Sequence, residues 1–372
     1  LYKDYEVVCN GELYNYPALK EMLKDEYTFK SSSDCEVIIP LYEKFGIETL
    51  CKFLDAEFAF VLYDAKKQSL MAARDPMGIR PMFYGYTKSE HKISFSSEAK
   101  GLVDYCEDIM PFPPGHYYKD GEFICYNDLS NPKTIIDDSI DNICNNIREK
   151  LELAVKKRLQ ADAPIGYLLS GGLDSSAIVS TVVNRLNVEG LHTFSSVYGK
   201  EYKADESKFI EEFNDIVPNM HYIHPTADVL YDDIERLVKS QVEPTPTTSP
   251  YAHYCVLKEA YANGVKITLD GQGSDEALAG YEYIPGLYHK SLFTHFKWIT
   301  LLNETFKYLK LHRSTRSLKY MLFFLLPSKM RTKVRVSQRA YVNPEFVKKY
   351  KGSVISEKLY GSKNMQEMLI NH

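Results

Sequence analysis

The segment 165–169 reads Ile-Gly-Tyr-Leu-Leu, with no polar residue alternating through it, and runs directly into Ser170-Gly171-Gly172-Leu173-Asp174-Ser175-Ser176. A strand that is apolar on both faces belongs in a parallel sheet covered by helices on both sides. A second such run, 265–269, ends at Asp270-Gly271-Gln272-Gly273-Ser274-Asp275-Glu276. Around and between them, apolar spacing predicts helices over 139–160, 175–186, 204–215, 227–240 and 251–262, strands over 191–198 and 221–224, and a Pro-rich loop over 243–250. Strands alternating with helices give a doubly wound parallel sheet with right-handed crossovers. Such sheets bind ligands beyond the carboxyl ends of their strands, where both glycine loops fall.

The 170–176 loop has the chemistry of an anion site. Unpaired N–H groups at a helix start carry partial positive charge. Gly171 and Gly172 allow close backbone approach, and Ser170, Ser175 and Ser176 add hydroxyl donors. Asp174 places a carboxylate beside that anion site, which makes sense when a cation such as Mg²⁺ lies between them. No Lys follows the glycines, so this is neither a Walker loop nor G-x-G-x-x-G. Both loops leave their strands at the same sheet edge by this reading, so Asp174 and Asp275 are expected to share the metal. A plain helix cap explains the acids of the second loop but not Gly271 and Gly273 flanking one residue.

The preceding residues have a different pattern. Strands are expected over 5–9, 58–62, 71–73, 82–86 and 92–96, with helices over 18–23 and 34–45. Turns are expected at Asn10-Gly11, 64–68 and 74–78, and a loop at 111–115. A polar linker over 127–134 divides an α+β domain, 1–127, from the α/β domain, 128–372. The length of 372 residues suits two domains. Apolar residues make up 44% and charged residues 26%, which excludes disorder and collagen-like structure. The longest apolar run, 320–326, is far short of the ~20 residues of a membrane span and reads as core. Seven cysteines lack C-x-x-C or zinc-ligand spacing, so reduced thiols in the cytoplasm are expected. From Lys290 onward 17 Lys and Arg face 4 Asp and Glu, leaving −18 on the first 289 residues; solvated helix faces are the expected reading of that basic stretch.

The 170–176 loop resembles the pyrophosphate loop of ATP pyrophosphatases. Together with G-Q-G-S-D-E at 271–276 it resembles the synthetase domain of glutamine-dependent asparagine synthetases. C-N-G-E-L-Y-N at 9–15, S-D-C-E-V-I at 33–38, R-D-P-M-G-I-R-P at 74–81, F-S-S-E-A-K at 95–100 and P-P-G-H at 113–116 resemble that family's N-terminal-nucleophile glutaminase domain, which implies a layered-sheet α+β fold for the first domain. The resemblance implies release of ammonia from glutamine, activation of a carboxylate by ATP as an acyl-adenylate, and attack by ammonia to give an amide. Aspartate is the foremost acceptor. A uronic acid of surface-polysaccharide synthesis is the rival substrate, and an inactive regulatory homologue the other reading.

Carried over by motif, Asn10 and Gly11 form the oxyanion hole, and these two with Glu12 and Asp34 bind glutamine. Leu169, Ser170, Gly171, Gly172, Asp174, Ser175, Ser176, Ser196, Asp270 and Gly271 hold ATP, and Asp174 and Asp275 hold Mg²⁺. The implied assembly is a homodimer, with no nucleic acid and no membrane span. Two departures stand out. The family's nucleophile is a Cys at the mature N-terminus and none precedes this match, so with Leu1 as the start glutamine-dependent activity is expected to be absent. Gln272 stands where Glu is common, and a Gln cannot act as a general base. The family's downstream acceptor region is not recognisable in 285–372, so the chain reads as a fragment lacking both ends.

Overall fold

A computed structural model describes residues 4–327 except 130–135, 200–201, 203–204 and 243–246, and beyond 327 only residues 330, 331, 334, 343 and 345. The molecule is α/β and separates into two compact units, 1–270 and 271–372. The 127/128 division expected from composition falls inside the first unit, and most of its linker lies outside the described residues.

The first unit opens with β1 (Tyr5–Leu13), α1 (Tyr16–Leu23), a 3₁₀ turn (Asp34–Val37), α2 (Ile38–Phe53), β2 (Ala56–Asp64) and β3 (Ser69–Arg74). There follow β4 (Phe83–Thr87), β5 (Ile93–Ser96), β6 (Cys106–Pro111), β7 (His116–Lys119) and β8 (Glu122–Cys125). An antiparallel sheet runs β1-β2-β3-β7-β8, and a smaller one runs β5-β4-β6. One face of the larger sheet packs Leu13, Phe58, Phe60 and Leu62 against Leu41, Leu50 and other residues of α1 and α2. Its other face packs Ala59, Ala72 and Tyr118 against Met82, Phe112 and the smaller sheet.

Three expectations change here. Asn10-Gly11 is no turn: β1 pairs with β2 throughout, and a side chain at Gly11 would sit 2.7 Å from the Glu57 carbonyl. The helix expected to end at Phe45 breaks at Gly46 (φ 77°) and resumes to Phe53. The strands β6, β7 and β8 were absent from the apolar pattern. The four-residue strands β7 and β8 are joined by Asp120 and Gly121, both at positive φ, a tight hairpin turn.

The second sheet begins after α3 (Ile140–Arg158), whose N-cap Ser139 accepts from Asn142 N–H. It contains β9 (Ile165–Leu168), β10 (His192–Ser196), β11 (Asn219–Ile223) and β12 (Ile267–Leu269), all parallel, in the order β11-β10-β9-β12. The connections carry α4 (Leu173–Asn184), α5 (Ser207–Ile210) with a 3₁₀ turn at Glu211–Phe213, α6 (Ala227–Gln241) and α7 (Ser249–Ala262). Tyr167 and Leu169 pack with α3 and α4, whereas Leu168 packs on the opposite face with Phe194 and α7. Both faces of β9 are therefore buried, which is why its sequence does not alternate. The 204–215 helix shrinks to one turn of α5 and the 3₁₀ turn. Pro250 lies in the first turn of α7 rather than in a loop.

The second unit holds α8 (Ser274–Leu278), α9 (Ile284–Thr294), α10 (Trp298–His312) and α11 (Arg316–Leu325). Gly286 lets α9 and α11 touch: a side chain there would meet Ser317 O and Met321 N at 3.0 Å. Phe324 and Leu287 form the local core, so the 320–326 stripe is partly core, while Leu322 is exposed.

Candidate active site

Strand β9 delivers the first glycine loop. Leu169 is fully buried and its N–H donates to Phe194 O at 3.0 Å, so the chain leaves the sheet at Ser170 with its direction fixed. Gly171 then adopts φ 87°, and a side-chain carbon there would stand 2.8 Å from Glu206 O and 2.9 Å from Glu206 Cβ. Only glycine meets both conditions. Ser175 Oγ accepts from Ser170 N–H at 3.2 Å, lies 3.1 Å from Ser170 Oγ and donates to Gly172 O at 3.2 Å. Ser170 Oγ accepts from Gly172 N–H at 3.3 Å. The loop is thus closed on itself by two serines. Helix α4 starts at Gly172 with no side-chain cap, so its first-turn N–H groups face outward, the arrangement suited to phosphate.

Neighbouring strands supply the rest. Ser196, at the end of β10, has a buried hydroxyl with no hydrogen-bond partner. A buried hydroxyl without a partner is costly, and a ligand group can supply the missing bond. Asp205 accepts from Tyr198 N–H at 2.8 Å, Gly199 N–H at 2.9 Å and Ser207 N–H at 3.0 Å. The Ser207 hydroxyl and these N–H groups hold its carboxyl far below the usual carboxylate range. Asp205 thereby fixes the segment against which Gly171 packs, a role the sequence reading missed. Strand β12 pairs in parallel with β9, so Asp270 leaves the sheet at the same end as Ser170.

Asp174 lies in the first turn of α4. A carboxylate next in sequence to Ser175 and Ser176 offers oxygen donors of the kind Mg²⁺ takes together with phosphate oxygens. Among the described residues no three His, Cys, Asp or Glu side chains form a metal cluster, so a cation here needs ligand oxygens as well. Asp275 belongs to the second unit. There Gly273 turns at φ 87° into α8, Gly280 packs directly on the Asp275 carboxylate, and Tyr281 O–H donates to Glu276.

The N-terminal candidates gather at the end of β1. Asp34, 21 residues away, reaches across so that its Oδ2 accepts from Leu13 N–H at 2.7 Å. Its carboxylate therefore lies beside Glu12 rather than merely capping its own turn. Burial, then Asp34, Glu57 and Asp162, push the Glu12 carboxyl up, and Arg80 opposes them. Asn10 and Gly11 sit just upstream on β1, with Asn10 exposed. Glu57, Tyr14 and Arg80 were not among the sequence candidates. Arg80 lies in the R-D-P-M-G-I-R run and Tyr14 in C-N-G-E-L-Y-N, neither of which shows this chemistry until folded, and Glu57 lies in no motif.

A glutamine amidotransferase domain model matches residues 2–116, and an asparagine synthase model matches residues 146–371. A probable glutamine-hydrolyzing asparagine synthetase of Dictyostelium discoideum is 36% identical over 302 residues, covering 74% of this chain and 53% of that protein. Glutamine-hydrolyzing asparagine synthetase 3 of Arabidopsis thaliana is 37% identical over 303 residues, covering 78% and 50%. Glutamine-hydrolyzing asparagine synthetase B of Escherichia coli is 36% identical over 311 residues, covering 78% and 54%. The chain spans about half the length of the curated relatives it matches. By the match over 146–371 the chain belongs to the asparagine synthase family.

Proposed function

We propose that this chain carries the chemistry of a glutamine-hydrolysing asparagine synthase, a carbon–nitrogen ligase that makes asparagine, AMP and pyrophosphate from aspartate, ATP and glutamine. The observation that carries the reading is the polar cradle between β9 and α4, with its left-handed Gly171 and the unpartnered Ser196 hydroxyl, in a chain of this family. The functional division falls at 127/128, between the two matched regions, in a homodimeric cytoplasmic protein. All seven cysteines are free thiols, which suits a reducing compartment.

Each group then has a task. Ser170, Gly171, Gly172, Ser175, Ser176 and the α4 start hold the ATP phosphates, while Leu169, Ser196, Asp270 and Gly271 hold the nucleoside part. Asp174 would hold Mg²⁺, which would supply charge neutralisation for the leaving pyrophosphate, and Asp275 is carried over by motif for the same role. The carboxylate acceptor attacks the α-phosphorus, pyrophosphate leaves, and ammonia displaces AMP from the acyl-adenylate. In the first domain Glu12 and Asp34 receive the glutamine ammonium, and Asn10 and Gly11 face the amide oxygen as negative charge develops there. Gln272 cannot take the proton of the attacking ammonia, so that task falls to another group.

The test is pyrophosphate release with ATP, Mg²⁺ and ammonia in the presence of aspartate or glucuronate. Release that depends on aspartate supports the assignment. Release with glucuronate alone moves the acceptor to a sugar acid, and release with neither overturns the ligase reading.

A further inference from the structure

The motif at 74–81 is built as a support. Asp75, 1% exposed, accepts from Met77 N–H, Ile79 N–H and Arg80 N–H at 3.0 Å each. Arg74 donates to Gly78 O, Arg80 O and Phe112 O at 2.7 Å each. Gly78 turns at φ 66°, with Pro114 2.9 Å from where a side chain would begin. A buried carboxylate and a half-buried guanidinium thus clamp one turn from both sides, and what projects from that turn is the Arg80 side chain. Its Nε is buried with no hydrogen-bond partner and lies 3.7 Å from Glu57 Oε2.

Glu57 stands directly opposite Glu12 in the β1–β2 register. Like charges in that position destabilise a sheet unless something compensates. Tyr14 O–H donates to Glu57, and the Tyr14 ring lies 5.0 Å beneath the Arg158 guanidinium at the end of α3. The groups acting on Glu12 come from four places: Asp34 on the 3₁₀ turn, Glu57 on β2, Asp162 after α3, and Arg80 on the clamped turn. Three are acidic, and Arg80 is the cation among them.

We propose that Arg80 and Glu57 are positioning residues of the amine-binding site, with the 74–81 turn serving to deliver Arg80 to the Glu12–Glu57 carboxylate pair. Arg80 holds the Glu12–Glu57 pair side by side and opposes the acidic groups that act on Glu12, so that Glu12 and Asp34 can receive an ammonium group. Tyr14 fixes Glu57 from its other side. The proposal rests on the reading of Glu12 and Asp34 as the ammonium site, and it assigns to the turn a purpose that the motif alone does not state.

The test is glutamine binding by titration calorimetry between pH 5.5 and 8, to the full chain and to Arg80→Met, Arg80→Lys and Glu57→Gln. In Arg80→Met the acidic groups act on Glu12 unopposed, so it takes up its proton at higher pH. Glutamine affinity then falls about tenfold at pH 5.5 and stays within about twofold of wild type at pH 8. Arg80→Lys restores most of the loss, and Glu57→Gln moves the acid limit the opposite way, to lower pH. An equal loss at every pH in Arg80→Met overturns the proposal, because that is the mark of a damaged turn. Wild type that binds no glutamine at any pH overturns the ammonium-site reading and the proposal with it. Wild type that binds while its pH profile is unmoved by either substitution overturns the proposal alone.

Discussion

Gly171 is where sequence and site meet at the smallest scale. Its left-handed backbone and its contact with Glu206 leave no room for a side chain. Gly171→Ala is therefore expected to cost about 1–3 kcal/mol, read as a lower melting temperature, and to weaken ATP binding because the loop must open. Asp174→Asn is expected to behave differently. It keeps the size and shape of the side chain, so melting is unchanged while pyrophosphate release is abolished; full activity would refute the metal role. The glycines, serines and Asp174 were legible in the sequence because strand, turn and helix start follow one another without interruption. Arg80 and Glu57 were not legible. They are 23 residues apart and become partners only through the β2–β3 pairing and the clamped turn that follows it.

Among elements, β9 was readable because burial on both faces removes alternation, and β12 carried the same unalternating pattern although its residues are only half-buried. Hidden elements had weak local signals. The β7–β8 hairpin rests on Asp120-Gly121, a tight-turn pair flanked by strands of only four residues. In place of the helix expected over 204–215 the chain has one helical turn and a 3₁₀ turn, and Ile210, Phe213 and Val217 are buried together. Asp205 gathers N–H groups from both sides of it in the chain and holds the segment in a tight turn. That carboxyl is depressed in the folded chain relative to the unfolded chain, so its contribution to stability is complete above about pH 4. It is lost as pH falls through the folded value. The melting-temperature gap between wild type and Asp205→Asn is therefore expected to be largest near pH 7 and to narrow toward pH 2. A gap independent of pH would show that the carboxylate charge is not what holds this segment.

Across the whole molecule, the α/β class and the order, an α+β part and then a parallel sheet, followed from the change of pattern along the chain. Layered sheets were implied by the family resemblance, but the residues that pack them were not legible, because the aromatic contacts join Phe95, Phe112, Tyr118 and Phe123 from distant parts of the chain. The basic stretch beyond 327 falls outside the described residues apart from five positions. The central claim is that the β9–α4 loop spends ATP between its α and β phosphates. Phosphorus NMR of ATP incubated with the chain, Mg²⁺, ammonia and aspartate reads this directly. AMP and pyrophosphate in equal amounts are the expected products, and their formation should vanish in Asp174→Asn. ADP with inorganic phosphate, or ATP left intact, would contradict the account.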